Sequence, residues 1–433
     1  MADIQELYRL LKELEDQLAA CMKCGMCQAV CPLYAETGKE TDVARGKIAL
    51  LEFLASQMLR DPKGVKDRLD KCLLCGSCAA NCPSGVKVLD IFLKARAIIT
   101  GYQGLSRPKK IIFRGMLANP GFLNKLLALA ARFQGLFSRQ ASQTLGSSCA
   151  RFKIPLLGNR HFVPLAQTPW HRLTPSLNTE PGSGKLKVAF FPGCITDKVF
   201  PSLAKTAVKV FNHHQIGIFM PEGQACCGIP ALASGDKETF IKLVTQNMAL
   251  FSKQSFDYLV TPCATCTSTI KKIWPMLPEY FSRETNEAIQ ELAGVTLDIS
   301  AFLVDCLGAG PEQSRKARGK SVTYHDPCHL KKSLDVSEQP RQLIRSNPDY
   351  SLIEMIDSDS CCGMGGSFNL AHYDLSRRIG KKKKQNIIDS RAKTVATGCP
   401  ACMLQIIDLL SQEGHDLEVK HTLEIYADAL DRE

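Results

Sequence analysis

The sequence has 433 residues, 45% hydrophobic and 22% charged, which is ordinary for a globular protein and long enough for two or three domains. It contains no uninterrupted apolar run of about 18 residues, so we predict no transmembrane helix. The charged N-terminal stretch lacks the apolar core of a secretory signal, so we expect a cytoplasmic protein.

The formal net charge of +11 is concentrated in one region of the chain. Residues 101–180 contain eleven Lys or Arg and a single acidic residue, so nearly the whole surplus lies there and the remainder is close to neutral. This distribution indicates a basic connecting segment and does not indicate a nucleic-acid-binding protein.

The predicted elements change in character along the chain. Helical periodicity covers Ile4–Leu18, Asp42–Leu59 and Val88–Thr100 within the first hundred residues. A further helix is predicted around Phe122–Arg139, inside the basic connector. From about residue 185 onward, short β-rich runs alternate with helices, which favours a parallel α/β arrangement.

Twenty cysteines are present in a chain for which we predict a reducing compartment. Disulfides are disfavoured there, so clustered cysteines indicate metal ligands or redox centres. Eighteen of them belong to motifs, whereas Cys149 and Cys306 stand alone and are predicted to be ordinary cysteines.

Two N-terminal runs, from Cys21 to Pro32 and from Cys72 to Pro83, share the spacing C-x₂-C-x₂-C-x₃-C-P. This spacing is typical of bacterial ferredoxins, in which the fourth cysteine of each run ligates the other cluster. We therefore predict two [4Fe–4S] clusters. Their predicted ligands are Cys21, Cys24, Cys27 and Cys82 for one, and Cys72, Cys75, Cys78 and Cys31 for the other. Zinc is the alternative. A zinc ion needs only four ligands, so zinc explains two complete four-cysteine runs poorly.

The 40 residues between Cys31 and Cys72 predict an inserted helical pair, and hence a helical ferredoxin domain. Within this insertion, Arg45-Gly-Lys47 is either a solvated helix terminus or positive charge that tunes a cluster potential. The later run Lys381–Lys384 is predicted to be a solvated helix face.

The C-terminal half contains an internal duplication. From Cys194 further cysteines follow at +32, +33, +69 and +72, and from Cys328 they follow at +33, +34, +71 and +74. The contexts repeat as well: FFPGC with YHDPC, ACCGIP with SCCGMGG, and TPCATC with TGCPAC. We therefore predict two copies of one unit. The predicted domains are a ferredoxin domain (1–100), a basic helical connector (101–184) and two cysteine-rich repeats (185–320 and 321–433).

Each repeat offers five cysteines, two of them adjacent, as in Cys226-Cys227. Adjacent side chains suit a single tetrahedral zinc poorly but can serve different irons of one cluster. Four of the cysteines, Cys194, Cys263, Cys328 and Cys399, follow predicted strands, and α/β sheets place their sites beyond the carboxyl ends of strands. His325 and His329 bracket Cys328 and are predicted to be structural groups, with donation to a cluster sulfur or proton transfer as the alternative.

The pattern C-x₃₁-CCG-x₃₄-C-x₂-C resembles the cysteine-rich CCG domain of the heterodisulfide reductase catalytic subunit. The whole layout resembles the iron–sulfur subunit of glycolate or lactate oxidase, and also those of anaerobic glycerol-3-phosphate dehydrogenase and fused heterodisulfide reductase. The resemblance implies an α-helical ferredoxin domain with two [4Fe–4S] sites, followed by a duplicated α/β CCG domain. It implies one or two further clusters, of the noncubane [4Fe–4S] type, with the ligands Cys194, Cys226, Cys227, Cys263 and Cys266 in the first repeat and Cys328, Cys361, Cys362, Cys399 and Cys402 in the second.

The sequence has no G-x-G-x-x-G dinucleotide loop, no P-loop and no evident flavin site. The resemblance implies an electron-transfer subunit that works with an FAD-binding dehydrogenase subunit on lactate or glycolate and passes electrons toward quinone or another acceptor. The alternative is a heterodisulfide-reductase-type catalytic subunit that reduces a disulfide at a CCG-bound cluster. No residue is predicted to be catalytic, and a redox-silent zinc scaffold is the third interpretation.

The predicted connector helix has an apolar stripe flanked by Lys125, Arg132 and Arg139. Its apolar members are Phe122, Leu126, Leu129, Phe133 and Leu136. The stripe is predicted to pack on the core or on a partner subunit, and the alternative is a helix lying on an anionic membrane surface.

Overall fold

The structure is a computed structural model that describes residues 4–152, 158–183, 186–310 and 319–430. Its contacts divide the chain into two compact units. The first, here called the helical unit, comprises Met1–Asn119, Gly228–Leu243 and Gly363–Ile379. The second, here called the sheet unit, comprises Pro120–Cys227, Val244–Cys362 and Gly380–Glu433. The predicted boundary at 184/185 falls outside the described residues, and the division into four domains stays a prediction.

The N-terminal part of the helical unit consists of short helices around a common core. Its α-helices are Ile4–Lys12, Glu15–Ala19, Met26–Val30, Pro32–Thr37, Ala44–Ala55, Pro62–Asp70, Ser77–Ala80, Val88–Gln103 and Arg107–Lys110, with a 3₁₀ turn at Glu40–Asp42 and a π-helix at Ile111–Leu117. Leu11, Leu51, Leu54, Ile91 and Ile99 are completely buried. Each such side chain contributes about 1.5–3 kcal/mol by leaving water, which holds these short helices together.

The insertion between the two cysteine runs is helical, as the sequence predicted. The helix Pro62–Asp70 begins with proline at its first position, and the Asp61 carboxylate caps it by accepting the Gly64 N–H at 2.9 Å. The helix Val88–Gln103 buries most of its length, so it is the central helix of this unit.

The helical unit also contains the segments that directly follow the two cysteine pairs in sequence. The helix Ile229–Ala233 and the first part of Lys237–Phe251 belong to it, as do Ser367–Ala371 and the first part of Tyr373–Asp389. Arg96 connects the first of these segments to the ferredoxin-like helices, because its Nη1 donates to the Ala233 carbonyl at 2.6 Å.

All strands of the described residues lie in the sheet unit. They are β1 (Ser138–Ser142), β2 (Ser147–Ala150), β3 (His161–Phe162), β4 (Leu177–Asn178), β5 (Lys187–Phe190), β6 (Gly217–Met220), β7 (Tyr258–Thr261), β8 (Thr296–Asp298), β9 (Lys320–His325), β10 (Tyr350–Leu352), β11 (Thr394–Thr397) and β12 (Glu418–His421). Strands β1, β2 and β3 form an antiparallel sheet that follows the helix Pro120–Phe137.

The two larger sheets repeat one topology. The first has the order β4-β6-β5-β7-β8, and all its pairs are parallel except the edge pair of β4 with β6. The second has the order β10-β9-β11-β12 and is parallel throughout. If β4 is set aside, each sheet places its strands in the order second, first, third, fourth along its own repeat. The duplication seen in the sequence is therefore also a duplication of the fold.

Helices connect these parallel strands, as crossover connections require. Besides Pro120–Phe137, the helices wholly within the sheet unit are Trp170–Leu173, Cys194–Lys198, Pro201–His213, Ala264–Ser268, Arg283–Gly294, Ile299–Ala301, Cys328–Leu334, Glu338–Arg345, Pro400–Ser411 and Thr422–Leu430, with a 3₁₀ turn at Pro278–Tyr280 and π-helices at Thr269–Ile273 and Phe302–Cys306. Of these, Trp170–Leu173 precedes both larger sheets and Thr422–Leu430 follows the last strand. One buried cluster joins both repeats, because Phe190, Phe211 and Phe302 of the first pack with Leu343 and Leu423 of the second.

No helix of the described ranges combines the length and apolar character needed to cross a bilayer.

Candidate metal centres

The two N-terminal cysteine loops adopt the same backbone conformation. Lys23 and Leu74, each the residue before the second cysteine of its run, have φ values of 57° and 56°. Gly25 and Gly76, each the residue after that cysteine, have φ values of 90° and 75°. Two left-handed positions in one short loop turn it tightly, and a side chain such as Lys or Leu adopts this region rarely. The repeated conformation therefore aims three cysteines of each loop at one point.

Two cavities in the helical unit are lined by the cysteines that the spacing assigns to two clusters. The first cavity is lined by Cys21, Cys24, Cys27 and Cys82, with Cys78 also at its wall. The second is lined by Cys31, Cys72, Cys75 and Cys78. In each cavity three cysteines come from one run and the fourth from the other, which is the crossed arrangement of two-cluster ferredoxins.

The surroundings of these cysteines fit a bound metal cluster. Backbone amides approach the sulfur atoms, since the Tyr34 N–H lies 3.5 Å from Cys31 Sγ and the Leu74 N–H lies 3.4 Å from Cys72 Sγ. Burial raises the pKa of the Cys31 thiol to about 11, and burial also raises the pKa of Cys78. Thiolates gathered in such sites are stable only when a cation holds them together, which metal coordination provides.

Two buried cations lie beside the second cavity. Lys47 is 1% exposed, lines this cavity, and donates from Nζ to the Asp42 carbonyl. Arg96 is also buried and donates from Nη2 to the carbonyls of Leu69 and Cys72. The interpretation of residues 45–47 as a solvated helix terminus is thus wrong for Lys47, because its stem runs inward to a carbonyl oxygen. Arg45 is half-buried, lines the first cavity and pairs with Glu40.

The ten cysteines of the duplicated unit all lie in the sheet unit, close to strand ends. Cys194 and Cys328 follow β5 and β9, while Cys263 and Cys399 follow β7 and β11. In the two sheets β5 lies next to β7, and β9 lies next to β11. The strand order reverses its direction at each of these pairs, and ligands of parallel sheets bind at such switch points.

In the first repeat the cysteine side chains contact one another. The neighbouring Cys226 thiol, followed by burial, raises the pKa of Cys194 well above its usual value. In the same way, Cys227 raises the pKa of Cys266, and Cys266 also interacts with Cys263. The structure thus joins Cys194 with Cys226, and Cys266 with both Cys227 and Cys263, while Cys226 and Cys227 are neighbours in sequence.

The second repeat reproduces part of this arrangement, among Cys362, Cys399 and Cys402. Cys362 Sγ and Cys402 Sγ are 3.6 Å apart, and Cys362 raises the pKa of Cys402, as Cys227 does for Cys266 in the first repeat. Cys399 interacts with Cys402 and also with Cys263 of the first repeat, and the latter contact is the main cause that lowers the pKa of Cys399.

Contacts therefore run from one five-cysteine group to the other through Cys263 and Cys399. The Ala264 N–H donates to the Gly398 carbonyl at 3.3 Å, and Thr265 Oγ1 lies 3.8 Å from Cys399 Sγ. Cys328 begins the helix Cys328–Leu334, whose Lys332 donates to the Asp359 carbonyl two residues before Cys361.

Glycine is required at particular positions of this site. Gly228 and Gly363, which follow the two cysteine pairs, both have φ of 90°. Gly193 has φ of 79°, and a Cβ there would lie 3.0 Å from Cys266 Sγ. Any side chain at Gly193 would therefore disturb both the backbone and a predicted ligand.

Two lysines near the second site are buried, although the sequence predicts a solvated helix face for Lys381–Lys384. Lys383 is fully buried and donates from Nζ to the carbonyls of Asp357 and Ser358, at 2.6 and 2.9 Å. Lys384 is also buried, so Lys381–Lys384 is a solvated face only in its first half. Successive residues of a helix point in different directions, and this run of lysines therefore spans two environments. His421, which was not predicted, is buried and hydrogen-bonds the Pro262 carbonyl at 3.0 Å.

The two isolated cysteines lie outside these groups. Cys149 is in β2, where Arg139 Nε lies 3.4 Å from its sulfur. Cys306 ends a π-helix; burial raises its pKa, and its interaction with the Tyr258 hydroxyl only partly offsets this.

Comparison with known families agrees with this division of the cysteines. A 4Fe-4S dicluster domain matches residues 17–86. A cysteine-rich domain named CCG matches twice, at residues 188–271 and 322–407. These three matched regions together contain all eighteen motif cysteines. The chain therefore carries iron–sulfur clusters, whose number and type are treated below as proposals.

Several known proteins are similar to this chain. The probable glycolate oxidase iron–sulfur subunit of Bacillus subtilis is 29% identical over 92% of this chain and 90% of its own length. A subunit of the CoM/CoB fumarate reductase of Methanothermobacter marburgensis is 28% identical over 94% of this chain and 72% of its own length. Lactate utilization protein A of Oceanobacillus iheyensis is 30% identical over 55% of this chain and 96% of its own length.

One solved structure shares the fold. The crystal structure of a hypothetical protein from Helicobacter pylori superposes with a TM-score of 0.52, at 10% identity, over 99% of this chain and 77% of its own. At this identity the likeness concerns the fold alone.

Proposed function

Because the chain belongs to the glycolate oxidase and lactate utilization family of iron–sulfur subunits, we propose that it is the electron-transfer subunit of a flavin-dependent 2-hydroxy-acid dehydrogenase. Its partner is an FAD-binding subunit that oxidises lactate or glycolate. The chain receives the electrons from that partner and passes them toward quinone or another acceptor. Iron–sulfur clusters, when bound, supply the one-electron carriers that this task needs.

The observation that carries this proposal is the gathering of motif cysteines at thiol-lined sites in each unit. We propose the crossed ligand sets for two [4Fe–4S] clusters in the helical unit and the two five-cysteine sets for clusters in the sheet unit. The chain's own residues then have three tasks: to bind iron through thiolates, to exclude water by burial, and to set the potential through Lys47, Arg96 and Lys383.

The test is purification of the tagged full chain from its native host, with analysis of bound cofactors. We expect a flavoprotein to copurify, and we expect lactate or glycolate to bleach the visible absorption of the chain's clusters in that complex. Glycerol 3-phosphate is the matched substrate control. The absence of flavin from the complex, or a complex whose clusters no hydroxy acid reduces, would contradict the proposal.

A second function is favoured by the complete set of ten cysteines in the repeats. In a heterodisulfide-reductase-type subunit these groups would themselves reduce a disulfide, and a relative named for CoM/CoB aligns over 94% of the chain. Copurification of a b-type cytochrome, together with EPR signals that appear on addition of thiols, would replace the first function by this one.

We further propose that the helix Pro120–Phe137 rests on an anionic membrane surface. Its apolar stripe is not packed on the chain's core, contrary to one sequence interpretation, since only Ala131 of this helix is buried. The five members are 37–64% exposed: Phe122, Leu126, Leu129, Phe133 and Leu136. Lys125 and Arg132 are exposed on this helix, which contains no acidic residue, and Arg139 is exposed in β1 directly after it. Apolar side chains flanked by cations match the boundary between acyl chains and anionic headgroups.

Vesicle binding tests this surface. We expect the full chain to bind phosphatidylglycerol-containing vesicles and to bind pure phosphatidylcholine vesicles much more weakly. Because each cation near the surface contributes about 1 kcal/mol, the triple variant K125E/R132E/R139E should bind on the order of 100-fold more weakly. The control K205E/K209E/K253E changes the net charge equally at positions elsewhere on the chain. Equal binding by the two triple variants would remove the membrane proposal.

A further inference from the structure

The two cysteine-rich repeats differ at one buried position beside their sites. Aligned on FFPGC and YHDPC, Phe191 of the first repeat corresponds to His325 of the second, each three residues before a predicted ligand. Both side chains are buried, at 0% and 1% exposure. The duplicated fold therefore has an apolar ring on one side and an imidazole at the equivalent place on the other.

The imidazole of His325 lies among the thiols of the second repeat. A ring nitrogen of His325, Cys362 Sγ and Cys402 Sγ all lie within 4.8 Å of one another, and all three residues are buried. This is the distance range in which side chains share one metal ion.

The protonation of the ring follows from its hydrogen bonds. Nδ1 lies 3.3 Å from the Ser358 carbonyl oxygen, which can only accept, so the proton is on Nδ1. Nε2 is buried and has no hydrogen-bond partner among the described residues. A neutral ring that holds its proton on Nδ1 has none on Nε2. Nε2 therefore carries an unshared electron pair in a site lined with sulfur.

Two cluster-bound thiolates beside this ring would leave Nε2 without a hydrogen-bond donor, since ligated cysteines have no S–H to donate. A metal cation bound by the ring nitrogen and the two sulfur atoms would accept an electron pair from each of them. Neutral imidazole whose other nitrogen hydrogen-bonds a backbone carbonyl is also the usual form of a metal-ligating histidine.

We propose that His325 is a nitrogen ligand to iron in the second repeat, which it shares with Cys362 and Cys402. This inference rests on the proposal that the repeats bind iron. It makes the second centre a mixed nitrogen–sulfur site, whereas the first centre, with Phe191, has sulfur ligands alone.

Pulsed EPR on the full, cluster-loaded chain tests the ligand directly. The chain is prepared with natural-abundance histidine and with ¹⁵N-histidine, and nitrogen hyperfine coupling is measured on its paramagnetic clusters. We expect a strong coupling in the unlabelled chain that changes to the ¹⁵N pattern on labelling. This comparison needs no substitution and is therefore independent of any folding defect.

Two variants assign the coupling to its residue. His325→Phe places the first repeat's residue in the second, and we expect it to lose the coupling. The control His329→Phe changes a histidine adjacent to Cys328 that hydrogen-bonds Thr265 instead, and it should keep the coupling. A loaded second repeat without histidine coupling, coupling that survives in His325→Phe, or a second repeat without iron by Mössbauer spectroscopy would each overturn the proposal. None of these readouts depends on a flavoprotein partner, so they are separate from the test of function.

Discussion

Replacing Cys82 by Ala is expected to remove about four irons per chain. The cluster predicted at Cys31, Cys72, Cys75 and Cys78 should stay intact, although Cys82 belongs to the same run as three of these residues. Cys82 ends the second cysteine run but lines the cavity of Cys21, Cys24 and Cys27. It is therefore expected to be the fourth ligand of the first run's cluster. Iron content and reduced-state EPR of the purified chain measure the loss.

Double variants decide between crossed and uncrossed ligand sets, because substitutions within one cluster are not additive. If the sets are crossed, Cys24→Ala added to Cys82→Ala removes no further iron, since both residues serve the same cluster. Cys75→Ala added to Cys82→Ala removes about four more irons, since it destroys the other. Uncrossed sets give the opposite pattern. Cys149→Ala, outside both cavities, is the matched control and should keep the full iron content.

The cysteine chemistry could be predicted from the sequence because ligands at fixed local spacing come from single loops. The runs around Cys21 and Cys72 define their own geometry through left-handed positions at Gly25 and Gly76, and these depend on few distant contacts. The duplication was equally visible, since the offsets from Cys194 and Cys328 repeat.

Features that depend on distant parts of the chain were not predictable. The contact of Cys263 with Cys399 joins residues on different repeats, and no local pattern encodes it. The placement of 228–243 and 363–379 in the helical unit depends on which core their helices join, which periodicity does not reveal. The sequence places Lys47 and Lys383 at the surface, because charged side chains are usually solvated. Only the fold shows that both are buried and donate hydrogen bonds to backbone carbonyl oxygens.

Replacing Lys47 by Met is expected to lower the midpoint potential of the cluster at Cys31, Cys72, Cys75 and Cys78. Lys47 lines that cavity and is buried, so water screens its charge weakly. Burial lowers its pKa, whereas Cys72 and Cys31 raise it, which means that the positive charge and these thiolates stabilise one another. Reduction adds a negative charge, which a nearby cation favours. At an effective dielectric constant of about 20, loss of this cation should lower the potential by on the order of 100 mV.

An EPR-monitored redox titration measures the effect, and two variants separate charge from packing. Lys47→Arg keeps the cation and should keep the potential close to that of the original chain. Lys66→Met removes a largely buried lysine of the same unit that pairs with Asp70 and lines neither cavity, so both potentials should stay unchanged. A Lys47→Met chain that retains all its iron at an unaltered potential would show that this cation does not tune the cluster. A potential that falls equally in Lys47→Arg would attribute the effect to repacking around the Asp42 carbonyl instead of to charge.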